Sequence, residues 1–167
     1  MAIYIYTGKG GGKTTAALGL ALRSLGHNRK VILIQFLKGR KEIGEYKIQS
    51  KLKKFKVYQF GRKEFINLKN PTGKDRLLAA KGLQFIKKAI KQKPKLLILD
   101  ELNLVLAFRI LDIRDVLSVL KKIPKSVDVV LTGRHAPKDL IKIADYANEM
   151  RLIKMPKKFF AKKGIQY

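Results

Sequence analysis

Apolar and polar positions divide this chain into short strand-like runs separated by helical patterns. Ile3 to Tyr6 is an apolar run, and so are Val31 to Ile34, within Lys30 to Phe36, and Leu96 to Leu99. Continuous runs of this length predict strands covered on both sheet faces. Phe55 to Phe60 (F-K-V-Y-Q-F) alternates instead and predicts an edge or third strand. Val127 to Leu131 predicts a further strand, and Asn148 to Leu152 a last short one.

Between these runs the period changes to that of helices. Ala16, Ala17, Leu18, Leu20, Ala21, Leu22 and Leu25 form one such pattern, closed by Gly26. Leu78, Gly82, Phe85, Ile86 and Ala89 share a face of a second helix reaching about Lys91, with Thr72 and Asp75 as cap and acidic N3 residue. Ile113, Val116, Leu117 and Leu120 fall at i, i+3, i+4 and i+7 of a third, and Pro137 opens a fourth. A polar loop is expected through Gly44 and Glu45, and another from Gly61 to Lys74, where Asn70-Pro71 marks a turn. Strands alternating with helices predict a three-layer α/β fold with a mostly parallel sheet. Residues 1–167 are expected to form a single domain with a basic tail from about 152 to 167.

The junction between the first strand and the first helix carries the candidate chemistry. It reads G-K-G-G-G-K-T-T, Gly8 through Thr15. Glycines let backbone N–H groups approach phosphate oxygens with no Cβ in the way, and the helix N-terminus adds partial positive charge. Gly8, Lys9, Gly10, Gly11, Gly12, Lys13, Thr14 and Thr15 are therefore the expected nucleotide-binding residues. Lys13 supplies the main charge and Thr14 a hydroxyl for Mg²⁺ (or Mn²⁺). The spacing from Gly8, G-x-x-x-G-K-T, is one residue shorter than the usual G-x-x-x-x-G-K-[ST] loop.

Downstream, Leu96 to Glu101 (L-L-I-L-D-E) ends a strand in two acids, the Walker B arrangement. Asp100 is placed to reach the metal that Thr14 touches, and Glu101 to bind it or orient a nucleophile. Arg134, at the tip of the strand ending in Thr132-Gly133-Arg134, is a candidate phosphate contact, though a solvated loop arginine fits the sequence equally. These elements place the expected fold among the P-loop NTPase (RecA-like) domains.

Composition narrows the partners. The chain has no cysteine, which excludes disulfides and thiolate sites. His27 and His135 are far apart and read as solvated loop residues. The first strand begins at once, so no signal peptide is expected, and no apolar run approaches the roughly 18 residues that span a bilayer. A cytoplasmic protein without a membrane partner is the expectation. The net charge is +26, from 38 basic and 12 acidic residues. The lysines are scattered over helix backs and loops, and they outnumber arginines 29 to 9. Base reading and stacking favour arginine with interleaved aromatics, so a solvated basic surface is expected rather than a nucleic-acid interface.

Beyond the generic loop, Y-T-G-K-G-G-G-K-T-T-A-A-L-G-L-A-L-R resembles the start of the P-loop ATP:corrinoid adenosyltransferases. V-I-L-I-Q-F-L-K-G with Gly44-Glu45, I-L-D-E-L-N, V-V-L-T-G-R-H-A-P, A-D-Y-A-N-E-M and K-K-G-I-Q-Y match the same family in order and spacing. The short loop is itself a mark of that family. Three positions depart from its pattern: Gly11 stands where the family has Lys, Met155 where it has His, and Asn67 where some members have Trp.

The resemblance implies transfer of adenosyl from ATP to Co(I) of a corrinoid, with triphosphate leaving and ATP held in the reverse sense across the loop. It implies Lys13, Glu101 and Arg134 as catalytic residues and Thr14, Asp100 and Glu101 as metal ligands. It places Gln35, Lys38, Phe65 and Ile66 at the corrinoid, with the tail aromatics Phe159, Phe160 and Tyr167 extending the apolar surface. A homodimer and a reduced flavoprotein electron donor are the implied partners. On residues alone, a P-loop ATPase or kinase acting at the γ-phosphate and a nucleic-acid-binding P-loop protein remain the alternatives.

Overall fold

The computed structural model describes residues 1–158 and 161–166. Six strands form one sheet: β1 (Ile3–Thr7), β2 (Val31–Phe36), β3 (Phe55–Phe60), β4 (Leu96–Asp100), β5 (Asp128–Thr132) and β6 (Tyr146–Glu149). Their order is β3-β2-β4-β5-β1-β6, and every pairing is parallel. β5 therefore separates the strand that feeds the glycine loop from the strand that ends in the two acids.

Helices α1 (Lys13–Gly26), α2 (Gly44–Ile48), α3 (Gly73–Lys91), α4 (Leu102–Ala107), α5 (Ile113–Lys121) and α6 (Lys138–Ile143) complete the described elements. Alternate strand residues feed two cores. Ile32, Ile34, Leu97, Leu99, Val129 and Leu131 pack with residues of α3, α4 and α5 on one face. Val31, Leu33, Leu96, Ile98 and Val130 pack against Ala17 and Ala21 of α1 on the other. The central strands are wholly buried, which explains their unbroken apolar sequence.

The start of α3 follows the expected capping chemistry. The Thr72 side chain accepts from the Asp75 N–H while the Asp75 side chain accepts from the Thr72 N–H. Arg62 Nε adds an ion pair to Asp75 at 2.8 Å. Two short helices lie where the sequence predicted none, α2 in the expected polar loop and α4 directly after β4. With five and six residues, both are too short to show a helical period. The last strand lies at Tyr146–Glu149 rather than Asn148–Leu152. It is exposed along its length, so register with β1 (Tyr4↔Tyr146 to Thr7↔Glu149) defines it and burial gives no signal.

Candidate functional site

The glycine loop joins β1 to α1 at the C-terminal edge of the sheet. Gly8 sits at φ 97°, and a Cβ there would lie 2.4 Å from the Met150 carbonyl oxygen. Only glycine fits that backbone against the segment leaving β6. Gly10 N–H donates to the same Met150 carbonyl at 2.7 Å, so β6 braces the loop from outside. Lys13 is buried, and its ammonium donates to the carbonyls of Gly8, at 2.9 Å, and Gly10. Burial pushes its pKa down, and Arg134 adds to this, while Glu101 and Asp100 oppose it. The Thr15 hydroxyl turns back onto the Gly12 carbonyl at 2.8 Å. Lys9 and Gly11 are exposed.

The acid pair occupies the tip of β4. Asp100 is completely buried and accepts four hydrogen bonds. Thr14 at 2.8 Å and Thr132 at 2.6 Å donate to Oδ1. Gln35 at 3.1 Å and Lys38 at 2.7 Å donate to Oδ2. Burial by itself would raise its pKa, yet the Lys38 charge and the donated hydrogen bonds hold the carboxyl below its usual range. Glu101, the next residue, is in the opposite condition. Burial and the neighbouring Asp100 charge push its pKa up. Its Oε2 is buried without a partner, and its backbone is left-handed at φ 62°. Gly133 makes room beside it: at φ 128°, a Cβ on this residue would stand 2.9 Å from the Leu104 nitrogen and 3.2 Å from Glu101 Oε2.

The structure thus unites Lys13 and Thr14 with Asp100 and Glu101, from two separate stretches of chain. Arg134 is exposed at the same edge, near enough for its charge to act on both Lys13 and Glu101. Gln35 and Lys38 also converge here, on Asp100. Phe65 and Ile66 lie elsewhere, on the loop after β3. Phe65 is 86% exposed with the Arg40 guanidinium 4.2 Å over its ring, and Ile66 packs partly against the core. Phe159, Phe160 and Tyr167 lie outside the described residues. A cleft of about 820 Å³ opens on the β6 side of the loop, lined by Thr7, Gly8, Lys9, His135, Asn148 and Arg151 among others.

Sequence reasoning missed four polar residues here. Glu45 and Gln59 flank Gln35: its Nε2 donates to Glu45 at 3.0 Å, and its Oε1 accepts from Gln59 at 3.0 Å. Thr132 bonds Asp100, and buried Asn103 donates to the Tyr6 and Gly133 carbonyls while its Oδ1 finds no partner. Strand register explains most of this set. Gln59, Gln35 and Asp100 stand opposite one another across β3, β2 and β4. A polar residue ending an apolar run, as in V-V-L-T, was the available signal for Thr132.

The residues present suit a hard divalent cation in that Thr14, Asp100 and Glu101 carry only oxygen and Glu101 Oε2 is unclaimed. Each Asp100 oxygen, however, already accepts from two donors, of which Thr14 and Lys38 reach it from the partly exposed side. Among the described residues, no group of three or more His, Cys, Asp or Glu could hold a metal by itself. No helix among the described residues is long and apolar enough to cross a membrane.

An all-parallel sheet with an anion-binding glycine loop after one strand and an acid pair after another defines an α/β P-loop nucleotide-binding fold. A KaiC-like protein of Pyrococcus horikoshii shares it, with a TM-score of 0.59 at 18% identity over 94% of this chain and 74% of that one. The family model for the ATP:corrinoid adenosyltransferases BtuR/CobO/CobP matches residues 1–167. A corrinoid adenosyltransferase of Sinorhizobium sp is 35% identical over 158 residues, covering 92% of this chain and 73% of that protein. One from Salmonella typhimurium is 32% identical over 154 residues, covering 91% and 77%. The chain belongs to the ATP:corrinoid adenosyltransferase family.

Proposed function

We propose that this protein moves the 5′-deoxyadenosyl group of ATP onto Co(I) of a corrinoid. The observation that carries the reading is the buried Lys13 inside a shortened glycine loop, in a chain matched over its whole length by the family model. Co(I) brings an electron pair and no proton. That pair forms the Co–C bond to C5′, the C5′–O bond breaks, and its electrons leave with triphosphate. No general base is required, so the protein's task is to orient C5′ in line and to neutralise the leaving anion.

Gly8 to Thr15 bind the triphosphate. Lys13 exchanges its loop carbonyls for phosphate oxygens, and Arg134 adds charge from the rim. Thr14, Asp100 and Glu101 would hold Mg²⁺ or Mn²⁺, whose charge helps stabilise the departing triphosphate. Lys38 and Gln35 hold Asp100 ionised and oriented at the corrinoid-facing side. Phe65 and Ile66 offer an apolar face that keeps an axial ligand off cobalt and eases reduction of Co(II). A reduced flavoprotein is the electron donor that this reduction calls for. The protein acts as a cytoplasmic homodimer, and residues 1–167 work as one nucleotide-binding domain with a basic tail.

The test is incubation with ATP, Mg²⁺ and chemically reduced corrinoid. The expected result is a shift of the visible spectrum to the light-sensitive alkylcobalt form, with triphosphate as co-product. Release of ADP or orthophosphate, with the corrinoid spectrum unchanged, would overturn the reading in favour of γ-phosphate chemistry.

A further inference from the structure

Thr132 stands apart among the groups that hold the acid pair. It is completely buried at the tip of β5. Its hydroxyl donates to Asp100 Oδ1 at 2.6 Å and accepts from the Glu101 N–H at 3.0 Å. One oxygen therefore contacts both acids. The other three donors on Asp100 (Thr14, Gln35 and Lys38) are not bonded to Glu101. A hydroxyl has a single proton. Because the Glu101 amide already donates to this oxygen, that proton is committed to the carboxylate, and the orientation is defined.

The Glu101 backbone makes the contact more telling. The residue is left-handed at φ 62° and begins α4 without a side-chain cap. Its peptide N–H is pinned by Thr132, and its side-chain Oε2 is left without a partner. Glu101 thus spends its main chain on Thr132 and keeps a carboxylate oxygen free. Asp100, held by the same hydroxyl, keeps a fixed plane from the buried side, while Thr14 and Lys38 reach it from the partly exposed side.

We propose that Thr132 is the positioning residue of the metal site: its hydroxyl orients the Asp100 carboxylate and pins the Glu101 main chain beside it, so that both acids stay in place for one divalent cation. It touches neither substrate nor cation. The inference rests on the reading of those two acids as metal ligands, and outer partners of this kind commonly govern affinity.

The test is a Mn²⁺ titration, followed by paramagnetic resonance, of the full chain saturated with ATP and without corrinoid. Thr132→Val removes the hydroxyl at nearly constant volume and should weaken Mn²⁺ binding roughly 10- to 100-fold. Thr132→Ser should restore binding close to that of the parent, whereas ATP affinity without metal should be the same in all three. Thr132→Ala gives the same comparison if the buried Val disturbs folding, as judged by the melting curve. Asp100→Asn is the reference. If it loosens Mn²⁺ and both hydroxyl-free variants bind like the parent, Thr132 has no positioning role. If Asp100→Asn binds like the parent, Asp100 is not a ligand and the inference falls with that reading.

Discussion

The two sides of the glycine loop are built differently. On the β4 side, Asp100 accepts four hydrogen bonds, and its donors come from α1, β2, the segment after β2, and β5. On the β6 side the loop faces a cleft of about 820 Å³ walled by an edge strand whose residues are all exposed. The contrast separates two physical tasks. Charge stabilisation of a leaving anion gains from fixed, dehydrated dipoles. An exposed edge strand is instead free to adjust as the loop takes up phosphate. Gly8 and Gly10 join the two sides through the Met150 carbonyl, so the open side also braces the rigid one.

The largest effect should come from breaking the rigid side at its charge. Lys13→Ala should lower kcat/KM for adenosyl transfer on the order of 10²–10³-fold, by analogy with loss of one oriented transition-state donor. Initial rates with chemically reduced corrinoid measure this, and a loss below tenfold would show that the anion is held mainly by the backbone. The brace comes next. Gly8→Ala forces a Cβ to within 2.4 Å of the Met150 oxygen at φ 97°. A cost of about 2–3 kcal/mol is expected, seen as a fall in Tm of roughly 5–10 °C. An unchanged Tm would mean that the β6 segment yields freely, and the two sides would then be mechanically independent.

A third measurement uses the cap of α3, where Asp75 bonds both Thr72 and Arg62. Thr72→Ala should cost about 1 kcal/mol at neutral pH by removing the cap of α3. The neighbouring Asp75 has its pKa lowered: burial would raise it, but hydrogen bonds from Thr72 and Arg62 overcome that. Its contribution is therefore fully present above the unfolded carboxylate value of about 3.9 and is lost as pH falls through the lower folded-state value. Asp75→Asn should flatten that part of the acid-unfolding curve, as followed by far-UV circular dichroism against pH. The smallest effect on stability belongs to Phe65→Ala, at most about 0.5 kcal/mol, because the ring is 86% exposed. Adenosyl transfer from Co(II) corrinoid with a reductant should nevertheless slow, while transfer from preformed Co(I) should not. Equal rates in both assays would remove Phe65 from the corrinoid face.

Much of the layout was legible in the chain because it rests on local signals. The buried strands announce themselves as unbroken aliphatic runs, α3 by its Thr72–Asp75 cap, and the nucleotide loop by glycines before Lys13-Thr14. Short elements were not legible. α2, α4 and β6 have six residues or fewer, and neither helical period nor alternation has room to show. Gln35 was legible only as a polar residue ending a strand, and its attachment to Asp100, Glu45 and Gln59 was not.

The sequence by itself determined which strands are buried, where a glycine loop joins a strand to a helix and which two acids close a strand. Only the tertiary structure decided that these acids differ. Placing β4 between β2 and β5 sets Gln35 on one flank of Asp100 and Thr132 on the other, while Glu101, one peptide later, turns left-handed into α4 and keeps an oxygen unpaired. Parallel register aligns residues far apart in the chain onto one sheet edge, and no local pattern carries that information.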